Sequence, residues 1–186
     1  MAVNPPALEA PLPKIIVFDL DYTLWPFWVD THVTPPLRPN AQHSAATDRT
    51  GERLAFYQDV PAMLDHLQRS DVRLGVASRT SAPRLARELL TMLHLPPAAE
   101  EAGGAVPRRA LDVFDGGLEI YPSSKIRHME AIKARTGIAF EDVLFFDDES
   151  RNRDTERLGV TMWLVRDGMT WDELQKGLAE WRRRRS

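Results

Sequence analysis

Cysteine is absent from the 186 residues of this chain. Its absence excludes disulfide bonds, thiol nucleophiles and zinc–thiolate centres. Long apolar runs are also absent, and none approaches the roughly 20 residues that a membrane-spanning helix needs. The formal net charge is only −3, without the basic stripe that is typical of nucleic-acid binders. We therefore expect an intracellular protein, cytoplasmic or nuclear, with no membrane or nucleic-acid partner.

The composition is typical of one folded domain, with 43% hydrophobic and 27% charged residues. A chain of this length can bury a substantial core. Residues 1–12 are rich in Ala and Pro, and we expect them to form a disordered arm rather than a secretory signal. A single domain is predicted over residues 13–182, followed by a basic tail over residues 183–186.

Two carboxylates, Asp19 and Asp21, directly follow the apolar run Ile15 to Phe18, which is typical of a buried strand. Ligands of open α/β sheets bind at this edge of a strand. Carboxylates beside a core strand are costly unless their charge is offset, and a divalent cation is the simplest offset. Asp19 then suits a nucleophile that attacks a phosphoryl group, and Asp21 suits transfer of a proton to and from the leaving oxygen. An Asx turn after the strand is the structural alternative.

An aromatic segment follows the two aspartates. Trp25, Phe27 and Trp28 lie within four residues, and a long polar stretch leads from them to Tyr57. We interpret residues 25–57 as a small β-hairpin flap inserted beside the site, since long loops in compact domains are usually functional or disordered. The aromatic side chains either line a substrate pocket or pack the flap onto the body, and both alternatives stay open.

The rest of the chain alternates apolar β-rich runs with segments of helical periodicity. This pattern predicts an α/β fold: a doubly wound, mostly parallel Rossmann-like sheet with helices on both faces. Residues 95–109 are rich in Pro, Ala and Gly and are predicted to form a poorly ordered surface insertion. Neither this segment nor the flap is long enough for a large cap domain, so we expect a fairly open site.

Polar side chains recur where these predicted elements end or begin. Ser78 and Arg79 follow one strand, and Lys125 lies in the first turn of a helix. Alone, each is common at such a position. Asp147 and Asp148 abut four apolar residues of a strand, and stabilisation of a following helix does not explain two aspartates there.

Asp19 to Thr23 matches the pattern Asp-x-Asp-x-Thr, and the longer string over residues 18–31 is more specific. The chain resembles the haloacid dehalogenase superfamily, and within it the magnesium-dependent phosphatase 1 family. The resemblance implies that Asp19, the backbone carbonyl of Asp21 and Asp148 bind Mg²⁺. It also places Asp147 in reserve as a metal ligand and Asn152 at the position of a second acid.

The same resemblance assigns the remaining roles. Asp19, Asp21 and Lys125 are implied to be catalytic, and Thr23, Ser78 and Lys125 to contact phosphoryl oxygens. Arg79 and Trp28 are our candidates for contact with the substrate.

The expected function is that of a Mg²⁺-dependent phosphomonoester hydrolase with an aspartyl-phosphate intermediate. The resemblance implies a small substrate, either a phosphosugar such as a fructosamine 6-phosphate or a phosphotyrosine peptide, as for an acid or protein tyrosine phosphatase. A phosphoprotein phosphatase or a phosphotransferase is the alternative, and a non-catalytic phosphate-binding module is a weaker one.

Overall fold

A computed structural model describes residues 5–96 and 107–185, and ten strands occur within them. These strands, β1 to β10 in chain order, span Ile15–Phe18, Arg38–Pro39, Ala46–Thr47, Arg53–Leu54, Arg73–Ser78, His94–Leu95, Arg108–Arg109, Gly117–Ile120, Val143–Asp147 and Thr161–Leu164. Five of them form one parallel sheet in the order β10-β9-β1-β5-β8. The predicted fold class, a mostly parallel α/β sheet, is therefore confirmed.

Strand β1 lies at the centre of this sheet. Its last residue, Phe18, is paired with Val76 of β5 on one side and with Phe146 of β9 on the other. All four residues of β1 are fully buried, as the continuous apolar run predicts for a central parallel strand. Because the three strands share one direction and register, Asp19, Ser78 and Asp147 come to the same edge of the sheet.

Helices cover both faces of the sheet. The helices α1 to α5 span Val29–His32, Val60–Arg69, Pro83–Met92, Lys125–Thr136 and Trp171–Arg183. Ile15 and Val17 share a core cluster with buried residues of α4, whereas Ile16 and Phe18 share another with α2, α3 and α5. Alternate residues of β1 thus serve opposite layers, which is the period of two expected for a strand. Within the described ranges, no helix has the length and apolar character needed to cross a bilayer.

The flap differs in detail from the single hairpin that we predicted. It begins with α1 and continues as a three-stranded antiparallel sheet in the order β2-β3-β4. Each strand has only two residues, so hydrogen bonds in the turns between the strands are needed to stabilise this sheet. Asn40 accepts backbone hydrogen bonds from Ser44 and Ala45, and Asp48 accepts them from Thr34, among others.

The N-terminal arm, expected to be disordered, lies against α5 over residues 5–12. The carbonyl of Ala7 accepts a hydrogen bond from Gln175 over 3.3 Å, and that of Glu9 accepts one from Arg182 over 2.8 Å. Leu8 and Leu12 are partly buried against the main core. Residues 1–4 lie outside the described part of the chain.

Two other predicted surface segments also have defined contacts. Strand β6 pairs with β7, which brings together the two ends of the predicted insertion over residues 95–109; residues 97–106 lie outside the described part of the chain. The predicted basic tail begins inside α5, and the guanidinium groups of Arg183 and Arg184 both bind Glu180.

Candidate active site

A tight loop after β1 carries the first two aspartates. The amide of Asp19 continues the sheet by donating to the carbonyl of Phe146 over 2.9 Å. The chain then folds back, because Leu24 donates to the carbonyl of Leu20 over 2.8 Å and Tyr22 adopts a left-handed φ of 55°. L residues rarely adopt this conformation, so the hydrogen bonds around the loop must stabilise it.

Lys125 lies beneath the loop as a buried cation between two carboxylates. Its ammonium donates to Asp19 Oδ1 over 2.5 Å and contacts Asp147 Oδ2 at 3.0 Å. It also donates to the carbonyl of Ala77 at the end of β5. Only 2% of the lysine surface is exposed. The three strands β1, β5 and β9 are therefore tied together through one ammonium group at the edge where their carboxyl ends meet.

Asp147 is fully buried and its oxygens are occupied. The side-chain amide of Asn152 donates to both Asp147 oxygens at 2.9 Å, and the amide of Glu149 donates to Oδ1 at 2.7 Å. With the Lys125 contact, four polar contacts surround this carboxylate. Asp148 is only half-buried and lines the open cavity. The two neighbouring aspartates thus have different surroundings, which their adjacency in the sequence does not reveal.

A cavity of about 230 Å³ opens at this edge of the sheet. Seven of the predicted site residues line it: Asp19, Asp21, Trp28, Ser78, Arg79, Lys125 and Asp148. Six more residues complete the lining: Asp30, Thr31, Thr80, Glu149, Arg151 and Asn152. Among these six, the sequence had singled out only Asn152.

Thr23 is the predicted phosphate contact that the structure does not bring to the cavity. Its side chain is fully buried, and its carbonyl accepts a hydrogen bond from Met169 over 2.9 Å. Its hydroxyl has no hydrogen-bond partner among the described residues. The turn around Tyr22 leaves Thr23 outside the cavity lining, and its contact with phosphoryl oxygens stays a prediction.

The aromatic residues of the flap divide between the two alternatives that the sequence left open. Trp25 and Phe27 are buried and stacked, with ring centroids 5.4 Å apart. Trp28 is 48% exposed, lines the cavity and makes an edge contact with Tyr22. Two of the three aromatic residues therefore pack the flap onto the body, and the third faces the site.

The flap and the loop after β5 meet over the cavity through Asp30. Its Oδ2 accepts hydrogen bonds from the amide and the hydroxyl of Ser81, at 3.1 and 2.9 Å. Arg79, in the same loop, donates to Asn152 Oδ1 over 3.3 Å. Asp30 lies within the matched string over residues 18–31, but its partner Ser81 is 51 positions away, so the sequence did not predict this contact.

Negative charge is in excess at this edge of the sheet. Burial raises the pKa of Asp21 to about 6, against the hydrogen bonds from Trp25 and Val29. Burial, with the neighbouring charge of Asp147, raises the pKa of Asp148 to about 6. Burial also raises the pKa of Asp19 well above its usual range, although Lys125 opposes that shift. Several carboxylates facing one ammonium group favour the binding of an additional cation.

The carboxylate arrangement suits a hard divalent cation. Asp19, Asp147 and Asp148 each offer an oxygen, and these oxygens lie within 4.8 Å of one another. Both Asp147 oxygens already accept hydrogen bonds, whereas Asp19 and Asp148 line the cavity. All-oxygen coordination of this kind is what Mg²⁺ prefers.

The chain belongs to the haloacid dehalogenase-like hydrolases, as its fold and its sequence relatives show. Within that class, the chain belongs to the acid phosphatase family, whose model matches residues 11–184. It is 42% identical over 172 residues to magnesium-dependent phosphatase 1 of Homo sapiens, an alignment that covers 91% of this chain and 87% of the relative. The resemblance predicted from residues 18–31 is thereby confirmed.

Two further comparisons agree with this assignment. A HAD-like hydrolase superfamily protein of Schizosaccharomyces pombe is 43% identical over 150 residues, which cover 80% of this chain and 83% of the relative. The N-terminal part of a Bacteroides fragilis protein, which contains a phosphatase domain and is complexed with Mg, superposes with a TM-score of 0.55 at 18% identity. That superposition covers 91% of this chain and 40% of the other chain, and at this identity it supports the fold alone.

Proposed function

We propose that this chain is a magnesium-dependent phosphomonoester hydrolase in which Asp19 forms an aspartyl-phosphate intermediate. The observation that carries the proposal is the placement of Asp19. Its carboxylate lines an open cavity, is held by the Lys125 ammonium over 2.5 Å and has Asp21 beside it. A positioned carboxylate with a neighbouring acid is the arrangement that nucleophilic phosphoryl transfer needs.

The metal site in this proposal consists of Asp19, Asp148 and the backbone carbonyl of Asp21. Asp147 is left out because its oxygens are held by Asn152, Glu149 and Lys125. Bound Mg²⁺ supplies positive charge that keeps Asp19 ionised and offsets its repulsion from the phosphate dianion. Dependence on magnesium also agrees with the name of the human relative.

The reaction proceeds in two displacements at phosphorus. In the first, a carboxylate oxygen of Asp19 bonds to phosphorus, the bond to the leaving oxygen breaks, and Asp21 gives that oxygen its proton. In the second, water attacks phosphorus, Asp21 takes a proton from the water, and the bond between Asp19 and phosphorus breaks. Lys125, Ser78 and Arg79 line the cavity as preorganised donors for the charge on the phosphoryl oxygens.

Replacing Asp148 by Asn is expected to weaken Mg²⁺ binding by roughly tenfold or more, because a neutral amide replaces a carboxylate ligand. The half-maximal Mg²⁺ concentration for phosphate release and calorimetric titration of Mg²⁺ both measure this effect. The matched control is Asp147→Asn, which alters a carboxylate that faces Lys125 and Asn152 and should change stability more than Mg²⁺ affinity. Unchanged Mg²⁺ affinity in Asp148→Asn, with weakened affinity in Asp147→Asn, would show that Asp147 rather than Asp148 binds the metal.

The lining of the cavity favours a small phosphomonoester with a polar or aromatic leaving group. Trp28 offers an exposed ring, and Arg79 and Arg151 offer positive charge. Phosphosugars, including fructosamine 6-phosphates, and phosphotyrosine peptides therefore remain the proposed substrates. A screen of phosphate release over these classes and nucleotides, with Asp19→Asn as the blank, tests the proposal directly. Phosphate transfer to an added alcohol rather than to water would favour the phosphotransferase alternative.

Trp28→Ala and Arg79→Ala are expected to raise KM for the best monoester of that screen more than for an unselective aryl phosphate. The physical reason is that both side chains lie where a leaving group would contact the cavity wall. Loss of one such contact is expected to raise KM roughly tenfold, which corresponds to about 1.4 kcal/mol of binding free energy. Val33→Ala, at a buried position of the same flap, is the control. If each alanine variant raises KM equally for every substrate, we conclude that Trp28 and Arg79 do not contact the leaving group.

A further inference from the structure

The two oxygens of the Asp21 carboxylate have different surroundings. The indole Nε1 of Trp25 donates to Oδ1 over 2.7 Å, and the backbone amide of Val29 donates to the same oxygen over 3.2 Å. Among the described residues, the two hydrogen-bond donors to this carboxylate therefore bind the same oxygen. Oδ2 is left for whatever enters the cavity that Asp21 lines.

Trp25 is held in place by its own packing. Its side chain is fully buried and stacks on Phe27 at 5.4 Å and on Phe56 at 5.9 Å between ring centroids. Its carbonyl accepts a hydrogen bond from Tyr22 over 2.7 Å, which closes the loop that carries Asp21. A side chain restrained at both its ring and its backbone can fix the position of the group that it contacts.

We infer that Trp25 is a positioning residue for proton transfer, whose N–H holds Asp21 Oδ1 as the unprotonated oxygen so that Oδ2 carries the proton. The inference rests on the proposed function, which makes Asp21 the acid and the base. As the bond from Asp19 to phosphorus forms and the bond to the leaving oxygen breaks, the proton passes from Oδ2 to that oxygen. Asp21 thereby becomes anionic, and an N–H donor stabilises a charged oxygen more than a neutral one.

Trp181 shows what a buried indole needs for stability alone. It is 3% exposed, and its Nε1 donates to the backbone carbonyl of Glu141 over 3.1 Å. A buried indole requires an acceptor, and a carbonyl meets that need. Trp25 instead donates to a carboxylate of the active-site cavity, and Trp181 supplies a matched control within the same chain.

The test compares leaving groups of different basicity. A weakly basic nitrophenolate departs without a proton, whereas an alkoxide needs one from the general acid. Trp25→Phe keeps an aromatic ring for stacking and removes the N–H. It is expected to lower kcat/KM for an alkyl phosphate by about 10- to 100-fold, the usual worth of a hydrogen bond to a charged group. For nitrophenyl phosphate the loss should stay below about threefold, because little proton transfer accompanies that departure.

Two other variants make the result decisive. Trp181→Phe removes an equally buried indole N–H, and it should leave the dependence on the leaving group unchanged. Val29→Pro removes the second donor to Asp21 Oδ1 at the first residue of α1, a helix position where proline is tolerated. It should act in the same direction as Trp25→Phe but less strongly, and it replaces that variant if Trp25→Phe fails to fold.

The outcomes separate this inference from the proposed function. Suppose that Asp21→Asn lowers kcat/KM mainly for substrates with basic leaving groups, whereas Trp25→Phe and Val29→Pro lower kcat/KM equally for every substrate. Trp25 is then only structural, and the proposed function stands. If Asp21→Asn lowers kcat/KM equally for every substrate, Asp21 is not the general acid, and the positioning role of Trp25 fails with it; the aspartyl-phosphate at Asp19 is tested separately by Asp19→Asn. Selective losses in all three variants, with none in Trp181→Phe, support the positioning role.

Discussion

An Asp19→Asn variant is expected to fold normally and to release phosphate about 10⁴-fold more slowly than the parent chain, or slower still. An amide does not attack phosphorus, and it binds Mg²⁺ poorly. The fold should survive because the amide oxygen can still accept the hydrogen bond that Lys125 donates to Asp19 over 2.5 Å. The substitution also removes one negative charge from an edge that carries several buried or half-buried carboxylates.

The measurement pairs initial rates on the best monoester with a thermal unfolding midpoint. Asp21→Asn is the informative companion, because it leaves Asp19 as a nucleophile and impairs only proton transfer. With a nitrophenyl ester it should form the intermediate and hydrolyse it slowly, so that intact-protein mass spectrometry finds one phosphoryl group on the chain. The same treatment of Asp19→Asn should find none. Turnover by purified Asp19→Asn at the parental rate would end the aspartyl-phosphate mechanism.

The parts of the fold that local sequence specifies were predictable. The four apolar residues of β1 and the run Val143 to Phe146 have no polar interruption, and each is followed by aspartates. Such runs form central parallel strands because every side chain is buried there. Parallel pairing then places the residues that follow those strands at one edge, so the proximity of Asp19 and Asp148 follows from topology.

The flap was less predictable because its strands have only two residues each. No alternation of apolar and polar residues can develop over so short a length. The actual three-stranded sheet depends on side chains such as Asn40 and Asp48 that bind backbone amides around the turns. The N-terminal arm was not predicted for a related reason, since its contacts with α5 and with the main core join residues that are far apart in the sequence.

Within the candidate site, the sequence indicated which residue types gather but not which way each side chain faces. Thr23 fits the motif by spacing, yet the turn at Tyr22 buries it. Asp147 and Asp148 are adjacent and chemically identical; the resemblance preferred Asp148 as the metal ligand, but the contacts that bury Asp147 against Lys125 and Asn152 are visible only in the structure. Tertiary packing sets both the direction of the Thr23 side chain after Tyr22 and the contacts of Asp147 with Lys125. No local pattern in the sequence predicts either of them.

Lys125→Met is expected to lower the free energy of unfolding by about 3–5 kcal/mol, the usual effect of removing one partner from a buried ion pair. The Lys125 side chain is 2% exposed, and its ammonium lies 2.5 Å from Asp19 and 3.0 Å from Asp147, so its loss leaves two buried carboxylates without their cation. Phosphate release should also fall steeply, because the cation that positions Asp19 is gone. Denaturant unfolding in the presence of a chelator, followed by assays with Mg²⁺, measures the two effects separately.

The control is Lys133→Met, which changes an exposed lysine on the same helix whose ammonium lies 4.3 Å from the centre of the Phe140 ring. It should cost no more than about 1 kcal/mol, the value of an exposed cation–π contact. Adding Asp147→Asn to Lys125→Met removes one of the unpaired charges and should restore part of the stability without restoring activity. If Lys125→Met is as stable as Lys133→Met, or if the double variant is no more stable than Lys125→Met alone, charge balance at Lys125 does not hold the site together. The assignment of Asp147 to Lys125 rather than to the metal would then have to be given up.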